Sequence, residues 1–151
     1  MKPQAFILDF NPAMCAQDYC DEHLVEYAPI LIEVLRATRA EKHPFKNHIL
    51  TKWCGGSSEY AWLWKLAKSM LKEIDYRFGI EMEELAESLF VLDPPADHRE
   101  PRRWLQLIPK PISGKPVEAY QQFYLATQQG STWTKRQVPK WFTGAVQQSL
   151  F

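Results

Sequence analysis

Residues 55–79 read GGSSEYAWLWKLAKSMLKEIDYRFG, and this stretch decides the fold class. Tyr60, Leu63, Ala67, Met70, Ile74 and Phe78 recur at three- and four-residue steps, the spacing of one buried helical face. Gly55-Gly56 precedes the stripe, Ser57 or Ser58 can cap it, and Gly79 is a suitable stop. On the N-terminal side, Asn11-Pro12 is a helix start, with asparagine as cap and proline in the first turn. From there a helix is expected to about residue 39, carrying Cys20, Leu24, Ala28, Leu31 and Leu35 inward. Pro29 lacks the N–H that would bond back four residues, so a kink or a junction of two helices is expected near 25–29.

Residues 4–10 suit a short strand or an extended arm, and residues 40–57 a loop with one helical turn around Leu50–Trp53. On the C-terminal side a short acidic helix is expected over 81–91, ended by Asp93-Pro94-Pro95. Residues 93–116 hold six of the eleven prolines and should be irregular. A helix then opens at Lys115-Pro116-Val117 and runs to about Gln128, with Val117, Tyr120, Phe123 or Tyr124, and Ala126 or Thr127 inward. The tail should end in a last helix around Trp141-Phe142. The expectation is a mostly α, compact, single domain over 1–151.

Composition narrows the class. Hydrophobic residues at 46% and charged residues at 24% suit a globular core. No apolar run is long enough for a membrane span, and no signal peptide is expected. Three cysteines without a CxxC pair argue against a disulfide framework and for a reducing cytoplasm. No cofactor or metal is expected: His43 and His48 are five apart, with no HExxH and no Cys/His quartet. Formal net charge is zero, but acids crowd 1–35 and 81–100 while bases crowd 36–52 and 102–140. Such blocks can give a local basic surface, although a non-specific DNA binder usually carries a positive excess.

Several residues are candidates for ligand binding. His23, Glu26, Tyr27 and Ile30 share a helical face that could hydrogen-bond a base or ribose. His48 and Lys52 in the basic loop could hold a phosphate, with Trp53 stacking on a base. Ser57 and Ser58 stand at a helix N-terminus, which favours an anion. Tyr60, Trp62 and Trp64 suggest a stacking platform, with one of the three expected at the surface. Arg77 either complements the helix dipole or reaches a ligand pocket. Trp133, Lys135, Arg136, Lys140 and Trp141 interleave bases with aromatics, a pattern suited to phosphates and stacked bases. Each has a plainer alternative in core packing, capping or a solvated face.

Three segments together carry a family resemblance. They are Leu8-Asp9 through Cys20-Asp21-Glu22-His23-Leu24-Val25; His48-Ile49-Leu50-Thr51-Lys52-Trp53 with Ser57-Ser58, Tyr60-Ala61-Trp62-Leu63 and Tyr76-Arg77-Phe78-Gly79; and Pro116-Val117-Glu118-Ala119-Tyr120 to Tyr124 with Trp133, Lys135-Arg136 and Val138-Pro139-Lys140-Trp141-Phe142. Their order and spacing resemble the pyrimidine-dimer DNA glycosylase (endonuclease V)-like proteins of bacteriophages. The resemblance implies a compact helical fold that binds a nucleotide or nucleic-acid base. In the active glycosylases an N-terminal threonine amine attacks the sugar C1′, a glutamate on the first helix assists, and a Schiff base permits strand cleavage. Here Lys2 stands at the threonine position, where its length should also keep Met1 in place. Ile30 falls at the glutamate position, with Glu26 or Glu33 able to compensate.

The resemblance therefore implies a phage-type nucleotide- or base-binding protein in the host cytoplasm, with an anti-defence role in sequestering a host immune nucleotide signal. An active DNA glycosylase, AP lyase or base-modifying enzyme using Lys2 or Lys52 is the alternative. A host-protein interaction module docking through the acidic 81–100 region is a third. DNA and a second copy of the chain are further partners to consider.

Overall fold

The computed structural model describes residues 2–92, 95–96 and 98–143. Its helices are α1 (Pro12–Asp18), α2 (Asp21–Arg39), α3 (Ile49–Trp53), α4 (Ser57–Phe78), α5 (Glu83–Val91) and α6 (Pro116–Thr127). Residues 140–143 open another helical turn, and the remainder of the expected last helix lies outside the described residues. No strand occurs among the described residues. None of their helices is long and apolar enough to cross a membrane.

α4 is the central element and packs against α1, α2 and α5. Leu63, Ala67, Met70 and Ile74 of the expected stripe are fully buried. Phe78 is not part of the core: in the last turn of α4 it is 36% exposed, and Arg77 takes the buried direction there instead. Gly79 ends the helix at φ 65°, the left-handed conformation that glycine adopts without strain, and its N–H bonds Asp75 O. Neither serine caps the other end. Gly56 is the cap residue, and Ser58 Oγ instead donates to Glu59 Oε2.

The first half of α4 is enclosed all round, so the expected surface aromatic is absent: Tyr60, Trp62 and Trp64 are all buried. Trp62 Nε1 donates to Phe10 O ahead of α1, and Trp64 Nε1 to Leu89 O in α5. The Arg39 guanidinium of α2 sits 4.6 Å over the Tyr60 ring. Three different elements thus cover three successive directions around one helix.

The first long helix is divided, but not where Pro29 stands. Tyr19 and Cys20 are extended, and α2 runs unbroken through Pro29. Pro29 is half-exposed and Val25, four residues earlier, is 43% exposed, so the carbonyl that proline leaves without a donor lies on the water side. The break is fixed at 19–20 by Arg77, which donates to Gln17 O and Tyr19 O at the end of α1. Beyond the break, Cys20, Leu24, Ala28, Leu31 and Leu35 are fully buried as the spacing requires.

Residues 5–8 form an extended, buried arm rather than a strand. Side chains satisfy its backbone: Phe6 N donates to Tyr19 Oη, and Leu8 O accepts from Gln121 Nε2. Phe6 enters an aromatic nest of Tyr19, Tyr27, Tyr120, Phe123 and Tyr124. The arm is thereby clamped between α2 and α6. α6 buries Ala119, Tyr120 and Tyr124, while Ala126 and Thr127 face solvent rather than the core. The described part of 93–116 is irregular and is pinned by Tyr120 Oη, which accepts from Leu107 N and donates to Leu105 O. Cys15, Cys20 and Cys54 are buried and free, and burial pushes the Cys15 thiol up to about 12.

Candidate ligand cleft

The residues singled out in the sequence fall into three separate places, and two of them are structural. The first is an ionic network. Arg77 is 2% exposed and lies inside the protein. It donates to Glu73 Oε2 at 2.8 Å and Asp21 Oδ1 at 3.0 Å. Arg136 grips Glu73 through Nε and Nη2, both at 2.9 Å, and its guanidinium lies 4.1 Å over the Tyr76 ring. Asp21 also accepts from Thr132 Oγ1 and from Thr134 N and Oγ1. Burial alone would push the Asp21 and Glu73 carboxyls up. Their threonine and arginine donors overcome it and hold both below the ordinary carboxylate value.

This network welds residues 132–136 to the α1–α2 junction and to α4. Trp133, expected to stack on a base, is buried, with its Nε1 donating to Asp18 O. Lys135 projects at the surface from φ 60°, and Lys140 is also exposed. Trp141 Nε1 donates to Asp18 Oδ2, whose carboxyl burial raises to about 6 against that hydrogen bond. The interleaved C-terminal pattern is therefore mainly an anchor.

The second place is His23. It is buried, stacked on Phe6 at 4.5 Å between ring centres, with Nδ1 2.8 Å from Tyr124 Oη. Burial lowers its pKa despite the nearby Glu22 charge. Tyr27 is half-buried against Phe6 and His23, and Glu26 and Ile30 are half-buried on the same helix. His23 is thus a core histidine that fastens the arm, not a group displayed for a ligand.

The third place is α3 and the turn before α4. His48 caps α3 by accepting from Leu50 N through Nδ1. Burial lowers its pKa, and the charge of Lys2 lowers it further, so the N-terminal lysine lies in this neighbourhood. Lys52 is exposed. Trp53 Nε1 donates to Arg103 O, and its ring meets Trp104 at 6.2 Å. The turn at Ser57-Ser58 is not an open anion site. The Glu59 carboxylate folds back over Gly56, so near that a Cβ there would lie 2.6 Å from Oε2. The helix terminus already faces a negative charge of its own chain.

A cleft lies beside this third place and, apart from Trp62, draws on residues that the sequence reading did not single out as ligand-binding. It holds about 400 Å³ between residues 9–12, the first half of α4, and residues 98–100. Phe10 is its exposed aromatic, 43% accessible. Two tryptophans fix it: Trp62 bonds the Phe10 carbonyl at 2.8 Å, and Trp104 packs on its ring at 5.2 Å. Lys65, His98 and Arg99 supply the basic side, and Asp9 and Glu100 the acidic side. Lys65 Nζ stands 3.2 Å from His98 Nδ1, and Arg99 Nη2 reaches Ser57 Oγ at 3.5 Å. Trp104 touches Phe10, Trp62 and Trp53 alike, so an aromatic line runs from the cleft towards Lys52 and Arg103. Of the residues singled out in the sequence, Trp62 lines the cleft, and Ser57 meets it through Arg99.

One signal for this cleft was present in the sequence. Residues 98–104, His-Arg-Glu-Pro-Arg-Arg-Trp, gather basic residues ahead of a tryptophan, a composition like that of 133–141. Asn11 was legible only as a cap, and nothing in the apolar run before it marks Phe10 as the residue left outside.

No protein-family model, curated protein or solved structure matches the chain.

Proposed function

We propose that this protein binds a nucleotide or nucleobase in the cleft at Phe10. The carrying observation is one exposed ring, held rigid from behind by two tryptophans, in a cleft that also contains Lys65 and Arg99. A ring already fixed in place loses little freedom when a base stacks on it. Stacking of a base on an aromatic side chain contributes roughly 1–3 kcal/mol. The cleft's volume falls in the ordinary range for small ligands. Neither Lys2 nor Lys52, the two lysines considered for a Schiff base, lines it. A zero net charge fits a small ligand better than sequence-independent grip on a polyanion.

The test is thermal unfolding against a panel of bases, nucleosides and nucleotides, repeated with Phe10→Ala. A ligand at a hundred times its Kd adds about 2.7 kcal/mol to stability. For a chain of this size that raises Tm by roughly 5–10 °C. Phe10→Ala should weaken binding about 5- to 150-fold and shrink the ligand shift accordingly, while leaving the ligand-free Tm within a few degrees. No shift with any member of the panel would sink the proposal.

A further inference from the structure

Resting on the reading of the cleft as a base site, we infer that the base is guanine, carried as free base, nucleoside or monophosphate. Three consecutive residues, Asp9, Phe10 and Asn11, line the cleft and supply a stacking ring with an acceptor before it and a donor after it. Asp9 Oδ1 accepts from Asn11 N at 2.8 Å, and the second carboxylate oxygen has no partner among the described residues. Asn11 Oδ1 is committed to Ala13 N and Met14 N. That commitment fixes which way the amide is turned and leaves Nδ2 as an unused donor.

The base edges differ in what they bring to this pair. Guanine carries two adjacent donors, N1–H and the 2-amino group, beside the O6 acceptor. A carboxylate takes both donors and an amide N–H takes O6, so every group is satisfied. Adenine and cytosine set a ring-nitrogen lone pair beside their amino group, which would face the carboxylate. Uracil and thymine offer one N–H between two carbonyls, so one carboxylate oxygen would face a carbonyl. An unmatched acceptor pair of this kind is where hydrogen-bonding sites discriminate most strongly. Hypoxanthine keeps N1–H and O6 but lacks the amino group, so it should bind with intermediate strength.

The charge of the cleft limits the rest of the ligand. Among the described residues that line the cleft, Lys65 and Arg99 stand beside Asp9 and Glu100. Lys65 Nζ is a donor-only ammonium, so it donates to His98 Nδ1. Two described cations beside two described carboxylates suit a neutral nucleoside or one phosphate, and a triphosphate brings more negative charge than they offset.

The experiment is isothermal titration of the full chain with guanosine, GMP, GTP, inosine, xanthosine, adenosine and uridine, followed by the same series with Asp9→Asn. The wild-type protein should bind guanosine at least about tenfold more tightly than adenosine or uridine, with inosine between them. GTP should bind no more tightly than GMP. Xanthine replaces the 2-amino group with a carbonyl, so Asp9→Asn, which supplies a donor there, should weaken guanosine and strengthen xanthosine. Equal affinities, preference for another base, tighter binding of GTP, or an unchanged guanosine preference in Asp9→Asn would overturn the inference while leaving the cleft as a base site. Binding of no member of the series would overturn both. If Asp9→Asn does not fold, the wild-type ranking of guanosine, inosine and adenosine decides the matter alone.

Discussion

Replacing Arg77 with methionine should cost about 3–5 kcal/mol, the usual penalty for removing one partner of a buried ion pair. The side chain has no solvent exposure and makes hydrogen bonds to Glu73, Asp21, Tyr19 O and Gln17 O between 2.8 and 3.0 Å. Methionine fills nearly the same space, so the loss is polar rather than a cavity. Glu73 retains Arg136, and Asp21 retains Thr132 and Thr134, which softens the electrostatic part. The two carbonyls at the end of α1 lose their donor, at about 1 kcal/mol or more each. Breaking the two ion pairs supplies the remainder. Lysine would recover only a fraction, because one ammonium cannot reach acceptors spread around a planar fork. Urea unfolding followed by circular dichroism measures the effect. With a slope of about 2 kcal/mol/M, the midpoint should fall by roughly 2 M without a change in slope. A fall below about 0.5 M would refute the reasoning that Arg77 fixes the α1–α2 break.

The remaining predictions concern the same framework. Lys135→Gly should stabilise the protein by about 0.5–1 kcal/mol, since glycine relieves the positive φ at that position; a destabilisation in urea would show that the lysine side chain carries a contact of its own. Arg136→Met should cost less than Arg77→Met, because Arg136 is partly exposed, and limited proteolysis should then cut first within 131–138. The His23 pKa is lowered by burial, so the unfolded chain binds more protons and stability falls as pH drops below about 6.5. Asp18 has the opposite sign: with its carboxyl raised to about 6, stability grows as pH falls through 6 towards the ordinary carboxylate value. His23→Gln should therefore gain stability relative to the wild type between pH 7 and 5, and parallel profiles would refute the burial argument. Asp21 and Glu73 have lowered pKa values, so their contribution persists above the ordinary carboxylate value and is lost at lower pH, as acid titration of the fold will show.

Local spacing was enough to place the helices, because each amphipathic stripe states its own period. The Leu63-to-Ile74 face, the Asn11-Pro12 start and the Gly79 stop all depend on a few neighbouring residues. Pro29 misled for a related reason. Proline breaks a helix only when the freed carbonyl has nowhere to bond, and whether Val25 faces water is a tertiary fact. The true break needed a guanidinium from residue 77 beneath the end of α1, some sixty residues away. The aromatic and charged candidates carry the same lesson. Trp62, Trp133 and Arg77 are residue types suited to a ligand site, yet Trp62 and Trp133 give their indole N–H to backbone carbonyls, and Arg77 divides its donors between two carbonyls and the carboxylates of Glu73 and Asp21. The cleft reverses this relation. Phe10 remains exposed because its carbonyl and one side of its ring are already taken by Trp62 and Trp104, which come from elsewhere in the sequence. Its neighbours Asp9 and Asn11 satisfy only part of their capacity within the turn that begins α1. What marks a site here is capacity left over after folding, and that remainder can be counted only once every other claim on the same atoms is known.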